Sequence, residues 1–288
     1  MATSPERHPW NRSFTWQPRR VDLRRITEVQ AQAYDEQGFF VLEDAFDPTT
    51  VQRVLDAIDP LDQQTLDFLR TQERERFLIS DAKTITFTPH LVLRSPVLRG
   101  FCAGQVFRDL VHDLIGDDVR LYWDQAVYKR PEQPKPFPWH QDNGYTYVEP
   151  QQYLTCWVAL TDATEQHGCP WVVPGMHRMG TLRHRWTDLG FQCLDDPAGA
   201  VPVPARAGSI VVFSSLTPHC TGPNLTNDVR KTYIVQFAPD GARALRGDQD
   251  GAKPELELQN HPERQFLILR GGQPPCSRDD GHTILKSP

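Results

Sequence analysis

The sequence lacks any long hydrophobic run. No apolar stretch approaches the roughly 18 residues that a membrane-spanning helix needs, and residues 1–17 lack the apolar centre of a secretory signal. We therefore expect a cytoplasmic protein without a membrane partner.

The sequence also lacks an excess of positive charge and has no closely spaced pairs of cysteines. The chain carries 31 Lys and Arg against 37 Asp and Glu, a formal net charge of -6, which argues against a nucleic-acid partner. Its 6 cysteines are far apart and form no C-x-x-C pair, so they predict neither a disulfide framework nor a zinc ribbon. This usage is typical of a reducing compartment.

The first part of the chain has helical patterns. Thr27 and Gln30 fit a capping box that opens a helix, and Gly38 follows where that helix should end. Asp47-Pro48 predicts the start of a second helix, which we expect to end at Asp59-Pro60. A further helical stretch is expected from Ser95 to Leu114.

The pattern then changes to short alternating segments that are typical of strands. Such strands, separated by Gly and Pro turns, favour a sandwich or barrel. The predicted strands are Val119–Lys129, Tyr153–Thr161, Cys169–Val173, Ala200–Pro204, Ser209–Phe213, Leu216–Thr221, Lys231–Phe237 and, more faintly, Gln265–Leu269. We expect one domain with an N-terminal arm (1–25), a mainly helical support (26–116), a β core (117–239) and a C-terminal extension (240–288).

One short motif stands out in the β half. Trp139-His140-Gln141-Asp142-Asn143-Gly144 places an imidazole and a carboxylate two residues apart after a Pro-rich loop. Residues i and i+2 of an extended chain point to the same side, so His140 and Asp142 can reach one metal ion. With one more histidine they would form the facial triad of non-haem Fe(II) oxygenases.

His219 is the best candidate for the third ligand. It follows a predicted strand directly, whereas His167, His177 and His184 fall in predicted loops or turns. Arg230 opens the next strand, where a hairpin would bring it close to His219, and an arginine fork binds carboxylates through two charge-assisted hydrogen bonds. Thr221 shares a face with His219 and adds a hydroxyl donor, so a 2-oxoglutarate site is expected here.

These motifs resemble those of the phytanoyl-CoA dioxygenase-like family of Fe(II)/2-oxoglutarate-dependent oxygenases. The resemblance covers most of residues 26–239. It is carried by Trp139-His140-Gln141-Asp142, Asp162-Ala163-Thr164 with Gly168-Cys169, Pro174-Gly175-Met176-His177, and the spacing from His219 to Arg230. It implies a mainly β fold: a double-stranded β-helix (jelly-roll) core with the helical N-terminal segment packed on one sheet.

The resemblance also implies the roles of the site residues. His140, Asp142 and His219 would bind Fe(II), while Arg230 and Thr221 would bind 2-oxoglutarate. Gln125 and Trp157 are weaker assignments to the same co-substrate pocket. O2 would be the second co-substrate, with ascorbate as a supporting reductant in vitro.

A carboxylate at Asp142 favours hydroxylation or a related oxidation, since related halogenases have a small residue there to admit chloride. We expect a small organic substrate, such as a natural-product intermediate, a lipid or an amino-acid derivative, contacted by Trp139, Tyr145 and Tyr147. Two alternatives stay open: a non-catalytic barrel that binds a metal and a carboxylate, and a cupin-type dioxygenase that does not use 2-oxoglutarate. The sequence specifies neither the substrate nor the oligomeric state.

Overall fold

The structure is a computed structural model that describes residues 5–18, 22–247 and 254–275. No helix in these ranges is both long enough and apolar enough to cross a membrane. The α-helices precede the main β region, and they are α1 (Glu28–Gln37), α2 (Pro48–Arg70), α3 (Pro96–Cys102) and α4 (Gln105–Leu114).

The first two helices begin where the sequence predicts. Thr27 accepts a hydrogen bond from the Gln30 backbone N–H and completes a capping box, and Gly38 ends α1 with a φ of 87°. Asp47 caps α2 by accepting from the Thr50 N–H at 2.9 Å. These helix boundaries are confirmed. They could be predicted from the sequence because each depends on contacts within four residues.

The predicted end of α2 at Asp59-Pro60 is wrong, because the helix continues through Pro60 to Arg70. Pro60 is exposed, while the buried stripe continues with Ile58 and Leu66 on the opposite side. Asp62 also accepts a hydrogen bond from Thr86 at 2.6 Å. Packing against the sheet therefore outweighs the backbone hydrogen bond that proline removes.

The predicted helix from Ser95 to Leu114 is two helices. Gly104 lies between α3 and α4 with extended dihedral angles, a φ of -69° and a ψ of 161°. It serves as the N-cap of α4, so the periodicity that continues across it does not correspond to one helix.

Strands make up most of the remaining chain. They are β1 (Phe39–Leu42), β2 (Arg76–Phe77), β3 (Ser80–Asp81), β4 (Ile85–Pro89), β5 (Val119–Lys129), β6 (Phe137–His140), β7 (Val148–Glu149), β8 (Leu154–Ala159), β9 (Pro170–Val172), β10 (Arg185–Thr187), β11 (Gly190–Gln192), β12 (Val201–Pro202), β13 (Ile210–Ser214), β14 (His219–Thr221), β15 (Arg230–Pro239), β16 (Arg243–Arg246), β17 (Glu255–Leu258) and β18 (Leu267–Leu269).

Two sheets form the jelly-roll core. The larger has the order β1-β13-β8-β15-β5-β4-β3-β2, with β18 also paired to β5, and the smaller has the order β12-β9-β14-β6. Residues of both sheets, including Trp157, Phe213, Phe137 and Val172, share one apolar cluster between them. The site therefore lies in an interior that both sheets enclose.

The helices cover the outer face of the larger sheet. Val54, Leu98 and Phe107 pack with Val158 and Phe237 in one apolar cluster. The expected mainly β class, with a double-stranded β-helix core and helices on one sheet, is confirmed.

Several strands were not expected from the sequence. The segment before His140 was predicted as a stiff loop, yet Phe137–His140 forms β6 by pairing with β14. Beyond Pro239, β16 pairs with both β17 and β7 in a separate small sheet. The hairpin of β10 and β11 was also missed. These strands are only two to four residues long, and β6 and β7 pair with strands that are distant in sequence.

Candidate metal and co-substrate site

Neighbouring strands bring His140 and His219 together. The two residues are directly paired between β6 and β14, and their ring centroids are 4.1 Å apart. Asp142 follows in the turn after β6, where its Oδ1 lies 4.0 Å from His140 Nε2 and 3.9 Å from His219 Nε2. The potential ligand atoms of these three residues all lie within 4.8 Å of one another.

Backbone carbonyls set the orientation of both imidazoles. His140 Nδ1 lies 2.8 Å from the Pro138 carbonyl, and His219 Nδ1 lies 3.0 Å from the Thr217 carbonyl. A neutral ring that donates from Nδ1 keeps its lone pair on Nε2, the nitrogen that faces Asp142. Burial lowers the pKa of His140 to about 3 and that of His219 to about 4, so both rings are neutral at physiological pH.

Thr155 holds the other oxygen of Asp142. Its hydroxyl donates to Asp142 Oδ2 at 2.5 Å, and Gln236 Nε2 donates to the same hydroxyl at 3.2 Å. Oδ1 is left facing the imidazoles. Thr155 was missed from the sequence, although it shares the inward face of the predicted strand with Trp157.

His184 holds the backbone of the loop that carries Asp142. Its Nε2 accepts from the Gln141 backbone N–H at 2.9 Å, while its Nδ1 lies 2.9 Å from the Leu182 carbonyl. A side chain on Gly144 would meet this ring, because a Cβ there would lie 2.1 Å from His184 Cε1. His184 therefore fixes the path of the chain through Asp142 and leaves the metal position to the other two histidines.

Arg230 forms the second part of the site. It is the first residue of β15, only 1% exposed, and its guanidinium lies 5.1 Å from the Trp157 ring. None of its three nitrogens has a hydrogen-bond partner among the described residues, and burial lowers its pKa to about 9. A buried guanidinium without a partner is costly, so this geometry fits an anionic ligand.

Arg230 and the triad line one cavity of about 50 Å³. The weaker sequence assignments also lie there: Thr221, Gln125 and Trp157 all line it. The structure thus brings together seven predicted residues, namely His140, Asp142, His219, Arg230, Thr221, Gln125 and Trp157.

Lys129 is a buried basic residue that was not predicted from the sequence, and burial together with the neighbouring Arg230 lowers its pKa well below the usual range. It pairs with Arg230 across β5 and β15 and is 1% exposed. Its Nζ donates to the Thr221 hydroxyl at 2.9 Å, to the Thr221 carbonyl at 3.1 Å and to the Gly222 carbonyl. Because Thr221 Oγ1 accepts from this amine, its own proton is left to donate to another group. The available sequence signal was a lysine at the end of the predicted strand Val119–Lys129.

The three predicted substrate contacts, Trp139, Tyr145 and Tyr147, do not lie at one common cavity. Tyr145 lines a larger cavity of about 280 Å³ beside His140 and Asp142. Trp139 does not line it; because side chains alternate along β6, this ring packs instead in the cluster of Val173, Leu182 and Leu194. The assignment of Trp139 as a substrate contact is therefore corrected.

Tyr147 also lies away from that cavity. It is buried against the N-terminal segment, with ring centroids 4.7 Å from His8 and 5.6 Å from Trp10. The segment before residue 18 was treated as a surface arm, so the sequence offered no reason to expect that it covers this tyrosine.

Comparison with known proteins places the chain in a family. The family model for phytanoyl-CoA dioxygenase (PhyH) matches residues 34–232. Phytanoyl-CoA dioxygenase domain-containing protein 1 of Mus musculus is 29% identical over 202 residues, covering 66% of this chain and 69% of that protein. Ectoine dioxygenase of Bordetella bronchiseptica is 26% identical over 234 residues, covering 74% and 75%.

Solved structures share the fold. The carbocyclase SnoK from nogalamycin biosynthesis superposes with a TM-score of 0.67 at 22% identity, covering 85% of this chain and 96% of that one. EctD from S. alaskensis, solved with 2-oxoglutarate and 5-hydroxyectoine, superposes with a TM-score of 0.63 at 23% identity, covering 86% and 88%.

The donor set fits the cofactors of such enzymes. Two neutral imidazoles and one carboxylate suit Fe(II), and the unpartnered guanidinium suits the distal carboxylate of 2-oxoglutarate. The chain belongs to the phytanoyl-CoA dioxygenase (PhyH) family and is an Fe(II)- and 2-oxoglutarate-dependent dioxygenase that acts on a small molecule.

Proposed function

We propose that His140, Asp142 and His219 hold the iron, and that Arg230 and Thr221 hold the distal carboxylate of 2-oxoglutarate. The observation that carries this proposal is the buried guanidinium of Arg230, which has no partner among the described residues and lines the same cavity as the three iron-binding side chains. A site for a metal alone has no need of such a cation, so the pairing supports a co-substrate with an anionic end.

Each side chain has a defined task in this scheme. Neutral His140 and His219 present lone pairs, while Asp142 supplies the negative charge and is kept in place by Thr155. Lys129 orients the Thr221 hydroxyl so that its proton can reach the carboxylate beside Arg230. When bound, iron and 2-oxoglutarate supply the oxidising power of O2 to the substrate, with release of succinate and CO2.

Gln125 and Trp157 complete the co-substrate pocket in this proposal. Trp157 forms a wall beside the Arg230 guanidinium, and Gln125 lies where the small and large cavities adjoin. The aromatic walls of the larger cavity exclude water from the reacting groups, which strengthens every charge interaction among them.

We infer a hydroxylase-type oxidation. Asp142 occupies the position that a halogenase must leave free for chloride, which favours hydroxylation, desaturation or ring closure over halogenation. The two alternatives from the sequence are not favoured: a binding-only barrel does not need open metal positions, and a cupin-type enzyme without 2-oxoglutarate does not need Arg230.

We also propose that residues 1–288 act as one oxygenase unit in the cytoplasm, without a nucleic-acid or membrane partner. The formal net charge of -6 supports the absence of a nucleic-acid partner. The described cysteines, Cys102, Cys156, Cys169, Cys193 and Cys220, are free thiols, which is typical of a reducing compartment.

The test is succinate formation from Fe(II), 2-oxoglutarate, ascorbate and O2. We expect the wild-type protein to bind 2-oxoglutarate and to turn it over slowly without substrate, and we expect His140→Ala to abolish both iron retention and turnover. His167→Ala is the matched control, because this histidine lies outside the site and its Nδ1 is 2.7 Å from the Thr164 hydroxyl. Equal succinate formation by the wild type and His140→Ala would disprove the proposed iron site.

A further inference from the structure

The larger cavity beside the iron-binding residues has a consistent chemistry. It encloses about 280 Å³, close to the lower end of the size range for small-molecule sites. Aromatic side chains form most of its wall. Its lining residues are Ile79, Phe87, Tyr122, Trp123, Gln125, Phe137, His140, Asp142, Tyr145, Thr146, Tyr153 and Gln236.

This wall offers no partner for an anionic group of the substrate. It contains no lysine, arginine or glutamate, and its one aspartate is the proposed iron ligand Asp142. The tyrosine hydroxyls stay neutral as well, since burial raises the pKa of Tyr122 to about 12 and raises the pKa of Tyr153 well above its usual range. An anionic group that entered would lose its hydration without gaining a counter-ion.

The cations around the cavity do not line it. Arg230 lines the smaller adjoining cavity, and Arg246 and Arg264 are close enough to Tyr122 to oppose the rise in the pKa of its hydroxyl. Arg76 and Lys135 line a separate cleft next to Ile79 and Phe137, but that cleft encloses only about 10 Å³. Arg76 is also engaged, because it donates to the Asp188 carbonyl at 2.5 Å and lies 3.6 Å from Asp81. This cleft has no room for an acidic substituent.

Edge-to-face ring contacts hold the walls in place. The ring centroids of Tyr122 and Tyr153 are 5.1 Å apart, and the Tyr145 ring meets His140 nearly perpendicularly at 5.4 Å. Such walls present both faces and edges of aromatic rings. They are complementary to flat or compact rings, which add contacts of the same kind.

Polar recognition is restricted to neutral groups. The Gln125 side chain makes no hydrogen bond with any residue in the described ranges, although it faces both cavities. Its amide can donate to and accept from a neutral hydroxyl, carbonyl or amide. Gln236 lies nearby but already donates to Thr155.

We propose that the prime substrate is a ring-bearing small molecule without an anionic group, that it is held by these aromatic walls and by the Gln125 amide, and that it is not a CoA thioester. This inference rests on the proposed function, because it places the substrate next to the proposed iron ligands. It narrows the substrate from any small molecule to one chemical class.

Matched probes test the charge preference. 2-Naphthol, 2-naphthoate and palmitoyl-CoA are each titrated calorimetrically, without oxygen, into protein loaded with Fe(II) and 2-oxoglutarate. We expect 2-naphthol to bind at least about tenfold more tightly than 2-naphthoate, since the naphthoate charge is desolvated without a partner, and palmitoyl-CoA not to displace it. Equal or tighter binding of 2-naphthoate or palmitoyl-CoA overturns the proposal, as does a loaded protein that binds no naphthalene probe.

A charge introduced at the wall provides a second test. Ile79→Lys should shift the preference toward 2-naphthoate, by a factor on the order of ten, because it supplies the missing counter-ion. Leu78→Lys is the matched control: this neighbour is 73% exposed and does not line the cavity, so it should leave the preference unchanged. Equal shifts in both variants would contradict binding in this cavity.

Different results contradict the proposed function and the proposed substrate class. A protein that does not bind 2-oxoglutarate in the presence of Fe(II) contradicts the proposed function itself. A protein that binds 2-oxoglutarate but prefers 2-naphthoate contradicts only the substrate class.

Discussion

The two ends of the co-substrate site are built in opposite ways. At the metal end, each side chain has a partner: carbonyls hold His140 and His219, and Thr155 holds Asp142. At the anion end, Arg230 is buried without any hydrogen bond in the described part of the chain. The metal end is arranged in advance, whereas the anion end is completed only by its ligand.

This difference predicts how mutations at each end affect the stability of the fold and the binding of ligands. The hydrogen-bonded side chains of the metal end stabilise the fold and also position a ligand. Their loss should therefore lower both the stability of the fold and the affinity for the ligand. An unsatisfied buried charge destabilises the empty protein, so its loss should weaken ligand binding but stabilise the fold. Mutations at the two ends should therefore affect stability in opposite directions.

Arg230→Met tests this contrast with the largest expected effect. Methionine fills part of the same space without a charge, and we expect the ligand-free protein to become more stable by about 1–4 kcal/mol. Urea unfolding of the ligand-free protein measures this. Arg206→Met is the control, because the exposed Arg206 pairs with Asp44 at the surface and should contribute little. A less stable Arg230→Met protein would contradict an unsatisfied anion end.

Thr155→Val tests the metal end. Valine matches threonine in shape but cannot donate to Asp142 Oδ2, which should lower Fe(II) affinity by about 10- to 100-fold. Competition with a chelator measures the affinity. Thr164→Val, at an exposed loop position, should leave it unchanged. Unchanged iron affinity in Thr155→Val would show that Asp142 needs no such support.

The pH dependence of stability should report the buried histidines of the metal end. Burial lowers the pKa of His140 and His184 to about 3 and of His219 to about 4, so the unfolded chain takes up protons first as pH falls below about 6.5. Between about pH 6.5 and its folded-state pKa, each buried histidine should lower the free energy of unfolding by about 1.4 kcal/mol for every pH unit of acidification.

Buried acids oppose this trend. Burial raises the pKa of Asp124 to about 6 and also raises the pKa of Asp62 and of Asp142, so these carboxylates take up protons in the folded state first and offset part of the histidine effect. Unfolding the metal-free protein at pH 7, 6 and 5 should still show a net loss, with a shallower slope in His184→Gln. A flat profile would show that these rings are not kept neutral by the fold.

The sequence revealed the parts of the site that are local or regularly spaced. His140 and Asp142 are two residues apart, and His219 and Arg230 begin consecutive strands. The hairpin expected between those two strands is wrong, because β14 belongs to the smaller sheet and β15 to the larger one, and the two residues meet across the interior of the jelly roll. Thr155, Lys129 and His184 were not predicted because their partners are remote; Lys129 and Thr221 are 92 residues apart. Such contacts depend on how the sheets close, which strand patterns do not specify.

The fold was predictable to a similar degree. The capped helix starts and the long strands β5 and β15 follow from local signals, whereas α2 continues through Pro60 because Ile58 and Leu66 bury the same face on both sides of it. Tyr145 and Tyr147 look equivalent in sequence, but only Tyr145 reaches the cavity, since the N-terminal segment covers Tyr147.

The most direct test of a two-ended co-substrate site compares 2-oxoglutarate with 2-oxobutyrate, which keeps the keto-acid end but lacks the distal carboxylate. Both are titrated without oxygen into Fe(II)-loaded wild type and Arg230→Met. We predict that the wild type prefers 2-oxoglutarate by about 100-fold or more, as expected for a buried charge pair, and that Arg230→Met loses most of this preference. The same preference in both proteins would contradict the assignment of Arg230 as the carboxylate anchor.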